Sequence, residues 1–531
     1  MSFVSERHFE VAYTVVTPHG DDRLAGTKGQ RMNPTPTHQD REPWLIQGGM
    51  GIAISNWRLA RAVSSAGQLG VVSGTAIDNV FVRRLQDHGV DDALRAVLER
   101  FPVPSVVEDA LRRFAAVRRR AGTPYRSLAA LGARSPRRGI DLVVLASFVE
   151  VALAKSGHGG LVGINLLTKV QVPTAATLCG AILAGVDYVM MGAGVPTHIP
   201  GVIDDLVHAR RTTLPFVVTG AASDHPASSL DFDPVPYVGD ATLARPKFVG
   251  IVSSHVLATA LAKRSNGPVD GFVVERPSAG GHNAPPRGTY PLDERGGPVY
   301  GPRDTVDYEV MRGLGVPFWI GGGVTTSSDV RDAQALGAAG VQVGTMFAYC
   351  EESGMEPGLR RRVLATMSRQ PLGVSTSTTA SSTGYPFKVV DLPGTIADPL
   401  TYARRARRCD LGYLREAYLD ESGATAYRCA AEPLEAYARK GGSVADASST
   451  ACLCNGLMAT CGLAQIRAGG EVEAPIITSG DRLNDVAVLL VGRPDYRAAD
   501  VIDWLDPTRP PVPEDDVASP APAPALATGA S

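Results

Sequence analysis

The chain has 531 residues, 44% hydrophobic and 20% charged, close to globular averages, which excludes a chain lacking a folded core. Its 52 lysines and arginines face 54 aspartates and glutamates, so a net charge of -2 removes any general attraction to nucleic acid or anionic membrane. The 57 glycines and 39 prolines follow no collagen-like period and point to many tight turns.

Residues 1–40 are mixed polar and charged, without the apolar stretch of a signal peptide. No window reaches the ~18 uninterrupted apolar residues that cross a bilayer. The seven cysteines are an odd number, which fits reduced thiols or ligands, and the expected location is cytoplasmic.

From residue 41 the chain alternates short Val- and Ile-rich runs with small-residue turns and Ala/Leu-rich helical patterns. The runs are 44–47, 69–73, 161–167, 188–191, 248–252, 271–274, 318–320 and 341–343, the eight strands that a (β/α)₈ TIM barrel needs. A ninth candidate, 216–219, leads into a Pro- and Asp-rich stretch at 223–246 and is assigned to an inserted hairpin or loop. The pattern predicts a helix over 59–66 capped by Ser55 or Asn56, and one over 329–336 capped by Ser327 or Ser328.

Residues 78–138 form a helical insertion with Arg112, Arg113, Arg118, Arg119 and Arg120, read as a solvated face that can also serve as a lid. The barrel is expected over 41–385. Beyond it, 386–505 is expected to form a Cys-containing extension, with 404–437 helical in pattern. The Pro/Ala-rich tail 506–531 is expected to be disordered.

Three turns carry candidate chemistry. Gly321-Gly322-Gly323 and Gln342-Val343-Gly344-Thr345 end the last two strands, where (β/α)₈ enzymes commonly build a phosphate site from backbone N–H groups. Thr345 adds a hydroxyl, although a glycine after a buried strand also simply turns the chain. Ala279-Gly280-Gly281-His282 follows the sixth strand and displays an imidazole at the catalytic face, able to act as base, acid or hydrogen-bond donor. Gln47-Gly48-Gly49-Met50 leaves room for a flat ring, and Asn165 at the end of the third strand offers an amide to a planar heterocycle. Cys409, Cys429, Cys452 and Cys454, with Cys461 nearby, could bind zinc or an iron–sulfur cluster if brought together. Their spacing matches no standard Cys-x-x-Cys pair, buried thiols are the simpler reading, and no metal ligand is assigned.

The order of these motifs over 41–385, closed by Ser381-Ser382-Thr383-Gly384, resembles the nitronate monooxygenase family, which also includes flavin-dependent enoyl-ACP reductases II. The resemblance implies non-covalent FMN, with Gly48, Gly49, Met50, Asn165, Glu275, Gly280 and Gly281 at the flavin. It has Gly322, Gly344 and Thr345 hold the phosphate, counts Gly323 and Gln342 among the cofactor-binding residues, and makes His282 the catalytic residue, which hydrogen-bonds the nitro group or takes the α-proton of a neutral nitroalkane. The implied partners are O₂ and a small alkyl nitronate, converted to a carbonyl compound and nitrite; a homo-oligomer is compatible with this.

Departures from the family pattern are Glu275 where glutamine is usual, Ser278 for an acidic residue, Gly49 for proline, and Asn283 after the histidine. They bear on substrate more than cofactor. An unprotonated Glu275 would disfavour an anionic reduced flavin unless paired, with Arg276 the nearest candidate in sequence. The alternatives are an NAD(P)H-dependent flavin reductase of an enoyl thioester or similar alkene, and a non-catalytic flavin- or metal-binding protein.

Overall fold

Eight parallel strands follow one another around a single sheet: β1 (Leu45–Gln47), β2 (Gly70–Ser73), β3 (Val162–Leu167), β4 (Tyr188–Gly192), β5 (Lys247–Val252), β6 (Gly271–Glu275), β7 (Phe318–Gly321) and β8 (Gly340–Val343). β1 pairs with β8 in the register Leu45↔Val341, and a parallel bridge between Ile46 and Leu69 closes the ring beside β2. The coordinates are a computed structural model that describes residues 42–510 except Ser223 and Ala468. The 1–40 segment and most of the expected tail lie outside the described residues. All eight strands read from the sequence are barrel strands.

The two faces of each strand bury different partners, as a closed barrel requires. In β6, Val273 points inward with Val71, Met190, Val249 and Trp319, while Phe272 and Val274 pack outward against the helices. At the opposite end from the site, the Trp319 indole donates to Pro43 O at 2.7 Å and Tyr188 OH donates to Glu42 at 2.8 Å. None of the described helices is long and apolar enough to span a membrane.

Local chemistry explains the element ends. Asn56 caps Trp57–Ser65 by accepting from the amides of Arg58 and Leu59 at 2.8 and 3.0 Å. The helix Ser327–Ala335 is capped by Thr326 rather than by Ser327 or Ser328. Thr326 is extended and accepts from Asp329 N at 3.2 Å, while Asp329 accepts from Thr326 N at 2.8 Å, a reciprocal capping box that draws both serines into the first turn.

Within the insertion, helices Ile77–His88, Asp92–Leu98 and Pro104–Phe114 pack on the long helix Arg137–Lys155. Arg112, Arg118 and Arg120 are exposed, whereas Arg113 and Arg119 are half-buried and pair with Asp109 and Asp87, so only part of the expected face is solvated. The ninth strand candidate does leave the barrel. Val218–Thr219 pairs with Glu416–Leu419, beside an antiparallel hairpin of Thr212–Pro215 and Ser229–Phe232.

The helical expectation over 404–437 is corrected. Glu416–Leu419 and Thr425–Arg428 form an antiparallel hairpin, because Tyr418, Thr425 and Tyr427 favour the pleat. Asp420 closes the turn by accepting from the amides of Ser422 and Ala424. Past residue 386 the chain packs into the barrel's own outer core: Ile477, Leu483, Val486, Tyr496 and Leu505 are buried with the outward residues of β1, β7 and β8. Tyr496 OH donates to Met346 O at 2.7 Å.

Candidate functional site

Two cavities meet at the carboxy-terminal ends of the barrel strands. The first is walled by Gly48–Gly51 after β1, Ser278–Gly281 after β6, Gly321–Thr325 after β7 and the end of β8 through Thr345. The second is walled by Asn165 of β3, Ile251 of β5, His282, Phe387, Leu453 and Leu457. Gly49, Glu275, Gly280, Gly281 and Gln342 line both, so the two spaces adjoin. Every site residue read from the sequence, Gly48, Gly49, Met50, Asn165, Glu275, Gly280, Gly281, His282, Gly322, Gly323, Gln342, Gly344 and Thr345, faces one or both.

The small residues are needed for space. A Cβ on Gly49 would lie 2.2 Å from Asn165 Cβ, inside any tolerable contact. Gly322 has φ +90°, and a Cβ there would approach Ala279 N to 2.9 Å, so both conformation and space require glycine. Gln47 is part of the scaffold. Its amide donates to Gly48 O at 2.5 Å and Ser55 Oγ at 2.8 Å, and it accepts from Val71 N at 3.0 Å, locking the β1 turn.

His282 is held from several sides. Its Nε2 lies 2.7 Å from Ser381 Oγ, which in turn meets Thr383 Oγ1 at 2.8 Å, and its ring stands edge-on to Phe387. The backbone of its turn is pinned by Lys388 N donating to Gly281 O and by Gly281 N donating to Thr478 Oγ1. Burial, with a smaller contribution from the positive charge of Lys169, lowers the imidazole pKa to about 4, so it is neutral at neutral pH. Burial pushes the Glu275 carboxyl up to about 7. The pairing with Arg276 considered from the sequence does not form; among the described residues Glu275 has no salt bridge.

Two amide oxygens are left without partners at the junction. Asn165 donates through Nδ2 to Gly49 O at 3.2 Å, but its Oδ1 is buried and unpaired, as is Gln342 Oε1. Buried polar atoms are normally satisfied, so these two acceptors are available to a hydrogen-bond donor placed in the cavity.

Residues 478–482 contribute to the site and were missed by sequence reasoning. Thr478, Ser479, Gly480 and Arg482 close the first cavity, with Gly480 N donating to Thr345 Oγ1 at 3.0 Å and Arg482 donating to Gly323 O at 3.0 Å. Tyr413, Leu414 and Cys454 reach the second. The signal was the small-residue turn Thr478-Ser479-Gly480 after the apolar pair Ile476-Ile477, the same pattern that ends β8. Cys409, Cys429, Cys452, Cys454 and Cys461 gather in one apolar cluster with Ile52 and Met458. Among the described residues no group of three or more His, Cys, Asp and Glu side chains is arranged to hold a metal ion.

With this geometry in place, comparisons can be weighed. Residues 237–389 match the family model "Nitronate monooxygenase". A "Probable nitronate monooxygenase" of Bacillus subtilis (strain 168) is 29% identical over 136 residues, covering 26% of this chain and 37% of that protein. Among solved structures, FabK from Thermotoga maritima is 16% identical with a TM-score of 0.41, covering 88% of this chain and 93% of its own. A nitroalkane oxidase from Streptomyces ansochromogenes is 16% identical with a TM-score of 0.39, covering 87% and 94%. The enoyl reductase domain of MlnA from Bacillus amyloliquefaciens is 12% identical with a TM-score of 0.45, covering 88% and 95%. The matched stretch runs from before β5 to the strand Phe387–Val390, so the part of this chain that is similar to nitronate monooxygenases contains the Gly280-Gly281-His282 turn, the triple glycine of β7 and Gly344-Thr345.

Proposed function

We propose that this chain is an FMN-dependent oxidoreductase that oxidises alkyl nitronates with O₂ to a carbonyl compound and nitrite. The observation that carries the reading is the pair of unpaired amide oxygens, Asn165 Oδ1 and Gln342 Oε1, in a glycine-walled cavity that His282 also faces. The residues fit the cofactor. Gly48, Gly49 and Met50 leave a wall for a flat ring, and the two amides match the polar edge of a heterocycle. Gly322, Gly323, Gly344 and Thr345 offer a cradle free of bulky side chains for the phosphate.

Bound FMN supplies an electron acceptor for the nitronate and a route to O₂. The protein supplies placement and dryness. His282, neutral and oriented through Ser381, meets the nitro group by a hydrogen bond. Leu453, Leu457, Phe387 and Ile251 keep water from the reacting carbon.

The experiment is an absorbance spectrum of the purified protein, followed by anaerobic addition of propyl nitronate and, separately, of NADPH. The reading expects a flavin spectrum that nitronate bleaches and NADPH leaves oxidised. Bleaching by NADPH points instead to the reductase. A colourless protein that takes up no added FMN overturns both.

A further inference from the structure

Glu275 occupies an unusual position for a carboxyl group. It ends β6 and lines both cavities and a third opening beside Tyr300 and Tyr385. Among the described residues its side chain makes no salt bridge and no hydrogen bond. Glu275 is half-buried, and a partly desolvated carboxylate without a partner costs stability, so its place on the wall of three openings points to chemistry rather than architecture. His282 faces the same space, but its Nε2 is engaged with Ser381.

We propose that Glu275 is a catalytic base that removes the α-proton of a neutral nitroalkane in this cavity, so that the chain makes the nitronate it then oxidises. This rests on the functional reading above and assigns the proton-abstracting residue of that same site. The α-C–H bond breaks, its electron pair becomes the C=N bond of the nitronate, the negative charge moves to the nitro oxygens, and the proton goes to the Glu275 carboxylate. No oxidant is consumed in this step. The proton then leaves to water through the opening beside Tyr300. With its pKa raised to about 7, Glu275 is divided between acid and base at neutral pH, where a general base works best. His282, at about 4, is the weaker acceptor. The titratable and charged groups that share these openings with Glu275 are His282 and Arg276 from its own turn, Arg287, Tyr300 and Asp304 from the following loop, Tyr385, Arg482 on the first cavity, and Tyr413 and Cys454 on the second.

The test compares wild type with Glu275→Gln, both loaded with FMN, on nitropropane and on preformed propyl nitronate. The ratio of nitropropane turnover to nitronate turnover is expected to fall about 100-fold in the variant. In D₂O without oxygen, wild type is expected to exchange the α-proton of nitropropane, read by NMR, and the variant to lose that exchange. A ratio within about threefold of wild type, or exchange that survives the substitution, overturns the assignment of Glu275. So does a wild type that oxidises the nitronate and ignores nitropropane, with the functional reading intact. A wild type inert toward both substrates overturns the reading and the proposal together. Should the variant fail to fold, wild type alone decides: kcat/KM for nitropropane is expected to rise with pH through about 7 and that for the nitronate is not, and a flat nitropropane profile overturns the proposal.

Discussion

His282 Nε2 and Ser381 Oγ lie 2.7 Å apart although 99 positions separate them in the chain. The imidazole is thus oriented from outside the strand that presents it. Replacing Ser381 with alanine is expected to lower kcat/KM about tenfold, the size of one lost hydrogen bond, while FMN content stays unchanged. Steady-state oxygen consumption and the flavin-to-protein ratio check this together, and Ser381→Thr should restore most of the loss.

Gly49→Ala is expected to abolish flavin retention. The new methyl would stand 2.2 Å from Asn165 Cβ, so either the β1 turn or Asn165 must move into the ring's space. Absorbance after gel filtration reads the result. A yellow Gly49→Ala protein with the wild-type flavin ratio would show that the ring lies elsewhere.

Stability should depend on pH through two opposing groups. The His282 pKa falls from 6.5 to about 4 on folding, so the unfolded chain binds the extra proton, and this contribution is full above pH 6.5 and is lost as pH drops toward 4. The Glu275 pKa rises from 4.5 to about 7, so its contribution is full below 4.5 and is lost as pH climbs through 7. Each is worth about 3 kcal/mol, and between these limits the slopes largely cancel. Thermal melts across this range should therefore separate the variants: Glu275→Gln gains stability with rising pH, and His282→Gln loses it. Parallel profiles for the two variants would refute the opposition.

A buried ion network supports the segment behind the second cavity. Glu473 is 1% exposed and takes Arg405 on one oxygen and Arg467 on the other, the latter at 2.8 Å. Glu473→Ala removes the acid shared by two buried guanidinium groups, leaving Arg467 with Asp410 at 3.6 Å, and is expected to cost about 3–5 kcal/mol. Urea unfolding followed by far-UV circular dichroism measures this, and a loss under about 1 kcal/mol would mean that water reaches both arginines.

The barrel was legible because its signals are local: a Val/Ile run, a glycine turn and a helical period repeat eight times within short windows. The glycine turns and His282 were legible for the same reason. What the sequence hid is non-local. The turn Thr478-Ser479-Gly480 is visible as a local pattern, but nothing in it ties it to the cavity begun at Gly48, and no pattern pairs Val218–Thr219 with Glu416–Leu419. The 404–437 stretch misled because its charges suited a helix face while the Tyr- and Thr-bearing segments paired as strands. Glu275 stood out as a chemical oddity, but its lack of an ionic partner required the fold.

The stretch Thr478–Gly480 forms one wall of a chamber whose opposite wall is laid down more than four hundred positions earlier. During synthesis the eight strands can associate while that wall is still missing, which leaves the chamber open to bulk water. If the chamber holds FMN as proposed, retention of the cofactor is expected to require that this wall has docked, and a protease nick ahead of Ile476 is expected to release colour before it melts the barrel.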